Sequence, residues 1–234
     1  APNMAVSDAK DHSPGIQNKG IFMMMNPFSS RCCQHNHAHA LPYYIQNMVL
    51  ASNDNGLLVN MYNSCDVTAL VADSIPVTLT ERTNYPFEEI VRLEIGTEKP
   101  VVFPLYLRIP AWCEKAALQI NGRKVPVKAA AGGYLRIDRE WNNGDKVELE
   151  LPMELHIRRW PTNKNSASVG YGPITFSLEI EEQVTDVNGP ENAFWDSAWQ
   201  PEADPVKWRA YEIFPGSPWN YGLPLHENNP LSGF

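Results

Sequence analysis

Short segments in which apolar and polar side chains alternate occupy most of the chain from 57 to 160. In "KVELELP" at 146–152, valine and leucine take every second position and glutamate takes the positions between them. Successive side chains of a strand point to opposite faces, so this period of two describes a strand with one buried face. Gly, Pro, Asn and Asp bound the segments. The pattern predicts a mainly β protein built as an antiparallel β-sandwich or jelly roll.

The segments that carry this pattern are LLVNMY, CDVTALVA, VTLTERTNY, EIVRLEIG, VVFPLYLRIP, ALQING, GYLRIDREW, KVELELPM and ELHIRRW. Two of the stretches between them have the chemistry of hairpin turns. These are "NGR" at 121–123 and "NNGD" at 142–145, in which Asn and Gly accept a positive φ at little cost.

One N-terminal amphipathic helix is predicted ahead of the strands. Apolar residues recur at helical spacing at Leu41, Tyr44, Ile45, Met48 and Val49. Pro42 is tolerated only in a first turn, so the helix is expected to begin near Ala40 and to end at the turn-forming "SNDNG" of 52–56. Its apolar side has no helical partner in this sequence, so the helix either packs on a sheet or belongs to a larger helical body.

Three regions follow from these patterns. Residues 1–55 combine an irregular segment with the helix, and residues 56–183 form the antiparallel β-sandwich. Residues 184–234 are rich in Pro, Gly, Asn and Trp, and they are expected to form an aromatic-anchored coil with a final strand that packs on or extends the sandwich.

Charge and hydropathy exclude two classes of partner. The chain has 19 basic and 27 acidic residues, a formal net charge of -8, which repels phosphate backbones and anionic lipid. No apolar run approaches the roughly 20 residues of a membrane helix, and the first residues lack the apolar core of a signal peptide. We therefore expect no nucleic acid and no membrane among the partners.

The stretch "SRCCQHNHAH" at 30–39 places adjacent thiols beside alternating imidazoles. One interpretation is a self-contained metal site from Cys32, Cys33 and two of His35, His37 and His39, because zinc prefers about four Cys, His or carboxylate ligands. A second makes Cys32 a nucleophile, since a thiol becomes reactive when a metal or a cation lowers its pKa. The alternatives are buried thiols and helix-start histidines, and spacing alone does not decide among these readings. A bridge between adjacent cysteines would be strained, so reduced thiols are expected.

Other candidate residues are assigned structural roles. Cys65 and Cys113 are expected to be inert filler, and the pairs Glu88–Glu89 and Glu181–Glu182 are expected to be solvated surface, because adjacent strand residues face opposite ways. Tryptophans in the tail could stack on sugar rings, but covering one face of the sandwich is the favoured interpretation. These are Trp195, Trp199, Trp208 and Trp219.

An ordered set of motifs resembles the β-L-arabinofuranosidase group of glycoside hydrolases, family 127 and its relatives. The motifs are RCCQHN, LLVNMYNSCDV, VTLTERTNYPFEEIVRLEI, FPLYLRIPAWC, INGR, GYLRIDREWNNGDKVELELPM, GPITFSLEI and SPWNYGL. They run in order from about Arg31 to Leu223. Each is weak alone, whereas the ordered set is specific. Gln34 and His35 depart from the residues that follow the Cys pair in the best-known subgroup.

The resemblance implies a retaining, exo-acting glycosidase whose (α/α)6 barrel precedes β-sandwich domains. It implies that Cys32 is a zinc-bound nucleophilic thiolate, that Cys33 is a second zinc ligand, and that the remaining ligands and the acid/base carboxylate lie in a barrel that this sequence lacks. Residues 1–55 would then be the end of that barrel, and the chain by itself would be inactive. The expected partners are that barrel and a glycan with a terminal arabinofuranose or related sugar. A periplasmic or secreted location is compatible with such a substrate.

A non-catalytic carbohydrate-contacting or structural β-sandwich module is the alternative to this enzyme. It predicts weak sugar binding through exposed tryptophans and no bound metal. The sequence does not decide between the two.

Overall fold

A computed structural model describes residues 23–24, 31–186 and 211–218, with side-chain positions for 36–184 and 214–218. The chain divides into two compact units, Ala1–Leu41 with Ser177–Pro224 and Pro42–Phe176 with Leu225–Phe234. Within the described residues, no helix combines the length and apolar character that crossing a membrane requires. The division into 1–55, 56–183 and 184–234 stays a prediction.

The described elements are mainly strands, as the alternation predicts. In chain order they are β1 (Met23–Met24), α1 (Arg31–Gln46), β2 (Val49–Ala51), β3 (Leu57–Val59), β4 (Cys65–Val71), β5 (Ile75–Arg82), β6 (Ile90–Thr97), β7 (Val101–Arg108), β8 (Ala117–Ile120), β9 (Arg123–Val125), β10 (Tyr134–Trp141), β11 (Asp145–Glu150), β12 (Leu155–Trp160), β13 (Ser166–Tyr171), β14 (Ile174–Thr175), β15 (Glu182–Asp186) and β16 (Tyr211–Pro215).

The larger unit is a β-sandwich. One sheet has four strands in the order β10-β7-β3-β2, and the other has six in the order β4-β5-β6-β11-β8-β9. Side chains from both sheets join one buried cluster, which includes Leu105 of β7 and Leu93 of β6. The predicted fold class is therefore confirmed. A third sheet of this unit, β12-β13-β14, follows the sandwich strands.

One strand pair of the sandwich is parallel. Strand β3 runs alongside β7 in the same direction, with Leu57 opposite Leu105 and Val59 opposite Leu107, while the other pairs are antiparallel. A period of two shows which side chains share a face but carries no information about strand direction. The expectation of a wholly antiparallel sheet is therefore corrected at this pair.

The core follows the alternation of the sequence. In β11, Val147 and Leu149 are buried, while Lys146 and Glu150 are exposed. Trp141 of β10 is 0% exposed, and its indole N–H donates to the Phe103 carbonyl oxygen at 3.0 Å. That bond satisfies the one polar group of the largest buried side chain.

The two predicted hairpin turns have the backbone that their residues favour. Asn121 and Gly122 have φ of 51° and 75°, and Gly144 has φ of 80°. Asn and Gly adopt this left-handed region most readily, so these turns are confirmed.

The helix differs from its predicted bounds at both ends. It spans Arg31–Gln46, so Pro42 lies inside it and Val49 belongs to β2. Its end is closed by Asn47, whose side-chain amide donates to the Tyr43 carbonyl oxygen at 2.7 Å. The segment "RCCQHNHAHA" forms helix without an apolar period, so periodicity could not reveal the first turns.

The predicted apolar side of the helix is only partly buried. Leu41 and Ile45 are 65% and 66% exposed, whereas Tyr44 is half-buried and donates its hydroxyl to the Tyr62 carbonyl oxygen at 3.3 Å. The prediction that the apolar side of the helix is buried is therefore wrong for Leu41 and Ile45.

The smaller unit contains a three-stranded antiparallel sheet in the order β1-β16-β15. In it, the Glu181 N–H donates to the Ser217 hydroxyl at 3.0 Å, and the Gly216 N–H donates to the Glu181 carbonyl oxygen at 2.6 Å. These bonds join the start of β15 to the end of β16. The predicted final strand is accordingly present at 211–215.

Candidate functional site

The adjacent cysteines lie in the first turn of α1. Helix α1 begins at Arg31, so Cys32 and Cys33 follow its first residue. Their side chains lie outside the described residues, as does that of His35. The predicted role of Cys32 as nucleophile, and of Cys32 and Cys33 as metal ligands, remains a prediction.

The start of a helix is a favourable place for a thiolate. The first N–H groups of a helix have no partner within it, and the aligned peptide dipoles place partial positive charge there. Both effects lower the pKa of a thiol in the first turn. No acidic residue lies in the first turn of α1 to oppose them.

The histidines of the same stretch are on a helix, not on an extended chain. His37 and His39 are exposed. Residues advance by about 100° each around a helix, so positions two apart point to nearly opposite sides. A metal site that uses two histidines two positions apart is therefore unfavourable in α1, whereas positions 35 and 39, four apart, lie on the same side of the helix. Among the side chains that the structure describes, no group of three or more His, Cys, Asp or Glu could hold a metal ion.

Cys65 and Cys113 are reduced and shielded. Cys65 is half-buried at the start of β4, and Cys113 is buried after β7. Burial raises the pKa of both thiols, so both are protonated at neutral pH. Their surroundings fit the expected structural role.

The adjacent carboxylates play unequal roles. Glu88 is exposed and accepts a hydrogen bond from the Asn84 amide at 2.7 Å. Glu89 is half-buried, and its Oε1 accepts from the Met153 N–H at 2.8 Å and from the Tyr171 hydroxyl at 3.2 Å. The expectation of solvated surface fits Glu88, whereas Glu89 braces other segments. Glu181 and Glu182 are exposed.

Asp145 is a buried anchor of the hairpin between β10 and β11. Its carboxylate accepts from the Asn121 amide at 2.7 Å, from the Asn142 N–H at 2.9 Å and from Arg139 at 3.2 Å. Burial works to raise the pKa of Asp145, but these hydrogen bonds and the Arg139 charge hold that pKa below its usual value. The group is structural and stays ionised.

Glu81 is a titratable group that the sequence reasoning missed. Its side chain is 0% exposed, Oε1 accepts from the Asn63 N–H at 3.0 Å, and Oε2 has no partner among the described residues. Burial raises the pKa of Glu81 to about 8. The sequence does indicate the burial of Glu81, because the alternation of β5 puts it on the same face as Val77 and Leu79.

A pocket of about 350 Å³ opens beside the third sheet of the larger unit. Three segments that are distant in sequence form it: the loop after β7, the link from β11 together with the start of β12, and the turn after β13. It is lined by Trp112, Glu114, Lys115, Pro152, Glu154, Leu155, His156 and Gly172. We call this the Trp112 pocket. Nothing in the local sequence of any one segment indicates it.

Comparison with known proteins identifies the sandwich. Residues 56–153 match a family model described as "Beta-L-arabinofuranosidase, GH127 middle domain". A search of curated proteins finds no match. Among solved structures, one described as "Glycoside hydrolase" is 30% identical, with a TM-score of 0.58 over 68% of this chain and 26% of its own.

Two further solved structures are similar. The GH127 β-arabinofuranosidase BT3674 is 26% identical, with a TM-score of 0.55 over 66% of this chain and 30% of its own. Ara127N-Se, a GH127 β-L-arabinofuranosidase from Geobacillus stearothermophilus T6, is 24% identical and covers 79% of this chain and 34% of its own, with a TM-score of 0.57. The last of these supports the fold alone. The chain spans about a third or less of the length of these structures.

The fold and the comparisons together describe a β-sandwich that is similar to part of solved glycoside hydrolases. Residues 56–153 are similar to the middle domain of glycoside hydrolase family 127. The resemblance that the ordered motifs predict is confirmed through this segment and the similar structures.

Proposed function

We propose that the chain is part of a retaining, exo-acting glycoside hydrolase that releases terminal arabinofuranose or a related sugar, with Cys32 as nucleophile. One observation carries the proposal: an adjacent thiol pair occupies the first turn of a helix that ends shortly before a family 127 middle domain. The solved structures similar to this chain include one described as a GH127 β-arabinofuranosidase. Helix-start electrostatics favour the anionic sulfur that the reaction needs.

The proposed reaction has two steps. The Cys32 thiolate attacks the anomeric carbon, the bond from that carbon to the leaving oxygen breaks, and a general acid protonates the oxygen. Water then attacks the same carbon, and sulfur departs with its electron pair to regenerate the thiolate. Double displacement retains the configuration at the anomeric carbon. The general acid is not assigned to any residue of this chain.

The thiol pair also fits part of a zinc site. Zinc prefers about four ligands from Cys, His and carboxylate, and Cys32 and Cys33 would supply two of them. Bound zinc would keep a ligating thiol deprotonated at neutral pH. The described side chains offer no group of three further candidate ligands. We therefore propose that the rest of the site comes from the part of the enzyme that the relatives have and this chain does not match.

The direct test is turnover of an aryl β-L-arabinofuranoside by the complete gene product. Cys32→Ser should lower kcat by at least about 10³-fold, because a hydroxyl at neutral pH is a far weaker nucleophile than a thiolate. Cys65→Ser is the matched control, since Cys65 is a half-buried thiol on β4. It should leave kcat within about twofold of the natural enzyme. Undiminished turnover in Cys32→Ser would remove Cys32 from the reaction.

The non-catalytic alternative stays a prediction. The tail tryptophans on which it depends, Trp195, Trp199, Trp208 and Trp219, lie outside the described residues. It differs from the enzyme proposal in expecting sugar binding without turnover.

A further inference from the structure

We propose that the Trp112 pocket is a binding site for a neutral sugar residue. The proposal goes beyond the hydrolase function, because none of the lining residues takes part in the proposed reaction. The volume of about 350 Å³ lies at the lower end of the range of roughly 300–1,000 Å³ typical of small-molecule sites. The chemistry of its walls selects the class of ligand.

An immobilised aromatic ring forms one wall. Trp112 is half-buried and packs against the sandwich core. Burial raises the pKa of Tyr85, and the side chain of Trp112 works to lower it, so the indole lies close to the Tyr85 hydroxyl. A ring that already packs against the core loses little entropy when a ligand stacks on it. The C–H face of a sugar is a natural partner for such a ring.

Charged donors and acceptors stand next to the ring. Lys115 Nζ and Glu154 Oε1 are 2.9 Å apart, and these side chains are 73% and 74% exposed. The hydrogen bond and charge of Lys115 lower the pKa of Glu154, and the same contact raises the pKa of Lys115, so both groups are ionised at neutral pH. Glu114 adds a second exposed carboxylate. A sugar hydroxyl both donates and accepts, so neighbouring hydroxyls match an ammonium beside a carboxylate.

The balance of charge argues against an anionic ligand. The pocket holds the carboxylates of Glu114 and Glu154 against the single ammonium of Lys115, and the chain as a whole has a net charge of -8. Phosphate, sulfate or a uronic acid would meet net repulsion there. An uncharged polyhydroxyl compound meets none.

The walls of the pocket are held in place before any ligand arrives. Glu89 bridges two of them, because its Oε1 accepts from the Met153 N–H and from the Tyr171 hydroxyl. The Gly172 N–H donates to the Glu154 carbonyl oxygen at 3.3 Å. The His156 ring lies against Gly170, where a Cβ would come within 2.6 Å of the ring. A site that is already formed avoids much of the ordering cost of binding.

Binding to the 234-residue chain carrying Cys32→Ser tests the proposal without turnover of the ligand. The probes are methyl β-L-arabinofuranoside and methyl β-D-galactopyranoside, followed by amide chemical shifts and tryptophan fluorescence. We expect saturable binding of at least one probe with Kd on the order of 1 mM. Shifts should centre on Gly172 and His156. The two probes distinguish a furanose-selective from a pyranose-selective pocket.

Paired variants locate the site. The double variant Lys115→Gln with Glu154→Gln should raise Kd at least about fivefold, because it removes the charge-assisted partners of the hydroxyls. Its matched control is Arg92→Gln with Glu148→Gln, which removes another exposed ion pair, 3.3 Å long, between β6 and β11. That control should leave Kd unchanged. The exposed fractions are 73% and 74% for Lys115 and Glu154 and 54% and 38% for Arg92 and Glu148, so none of these side chains is buried and the variants are expected to fold.

Tryptophan variants provide the second comparison. Trp112→Phe should weaken binding severalfold, whereas Trp160→Phe, which changes a partly exposed indole on β12, should not. The proposal fails if neither probe saturates up to about 50 mM. It also fails if the Arg92 and Glu148 control weakens binding as much as the Lys115 and Glu154 variant. Either failure leaves the nucleophile proposal untouched, because that one is measured by turnover.

Discussion

Glu81 is a buried carboxyl group whose protonation the fold couples to stability. Its folded pKa of about 8 lies above the ordinary value of 4.5, because burial disfavours the charged form. The folded state therefore binds a proton that the unfolded state releases above about pH 4.5. The contribution of this group to stability is fully present below that pH and is lost as pH rises through about 8. The slope is at most about 1.4 kcal/mol per pH unit.

Replacing the carboxyl group by an amide should remove this dependence. Urea titrations at pH 5 and pH 8 give the free energy of unfolding of the Glu81→Gln variant and of the natural chain. The decrease from pH 5 to pH 8 should be smaller in the variant than in the natural chain by at least about 2 kcal/mol. The amide oxygen can still accept from the Asn63 N–H. Glu88→Gln is the control, because Glu88 is exposed and should leave the pH profile unchanged. If the free energy of unfolding changed with pH in the same way in the Glu81→Gln variant and the natural chain, the pH dependence could not be assigned to Glu81.

At the scale of single residues, the sequence pattern indicates the burial of Glu81, although the sequence analysis did not single out this residue. The position of Glu81 follows from the alternation of β5, and a carboxylate on a buried face is a signal that periodicity can give. The same pattern could not show that Glu89 is half-buried while Glu88 is exposed. Glu89 is half-buried because Met153 and Tyr171 approach it from more than sixty positions away, and no local pattern reports such contacts.

At the scale of elements, Gly56 explains how β3 docks on β7. A Cβ at Gly56 would overlap the carbonyl oxygen of Pro104, which is backbone of β7 and cannot move aside. Only a residue without a side chain allows the chain to enter β3 so close to its parallel neighbour. The sequence shows Gly56, but β4, β5 and β6 lie between it and Pro104 along the chain, so no local pattern indicates their contact. Strand identity was therefore predictable, whereas strand direction and pairing were not.

Gly56→Ala should consequently destabilise the sandwich. We expect a loss of roughly 1–3 kcal/mol in the free energy of unfolding, since overpacking against fixed backbone has that cost. Gly96→Ala is the matched control within β6, where a Cβ would meet Thr78 at an ordinary 3.5 Å. That control should stay within about 0.5 kcal/mol of the natural chain. Equal effects of the two substitutions in urea denaturation would contradict the close approach.

The helix illustrates a different limit of sequence reasoning. Its C-terminal half was predicted because its apolar residues are periodic, but its first turns contain Cys, His, Asn and Ala with no apolar period. Those first turns carry the proposed site. The proposed site therefore lies where hydrophobic patterning gives no signal, and the role proposed for the thiol pair comes only from the ordered motifs around it.

At the scale of the whole molecule, the proposed metal site requires more ligands than the thiol pair supplies. Zinc prefers about four ligands, and Cys32 and Cys33 account for two. The chain spans 26–34% of the similar solved structures, so the proposal places the other ligands in the segment of the enzyme that lies outside this match. Zinc content after dialysis is then expected to depend on how much of the enzyme is present.

Elemental analysis of the complete gene product, two of its variants and the 234-residue chain decides this point. The complete gene product should retain close to one zinc per molecule after dialysis against a weak chelator, and its Cys33→Ser variant should lose most of it, because a hydroxyl is a poor zinc ligand. Cys113→Ser is the control, since Cys113 is a buried thiol of the sandwich core. The 234-residue chain should lose its zinc under the same conditions. Tight retention by that chain alone would instead favour a self-contained site completed by its own histidines.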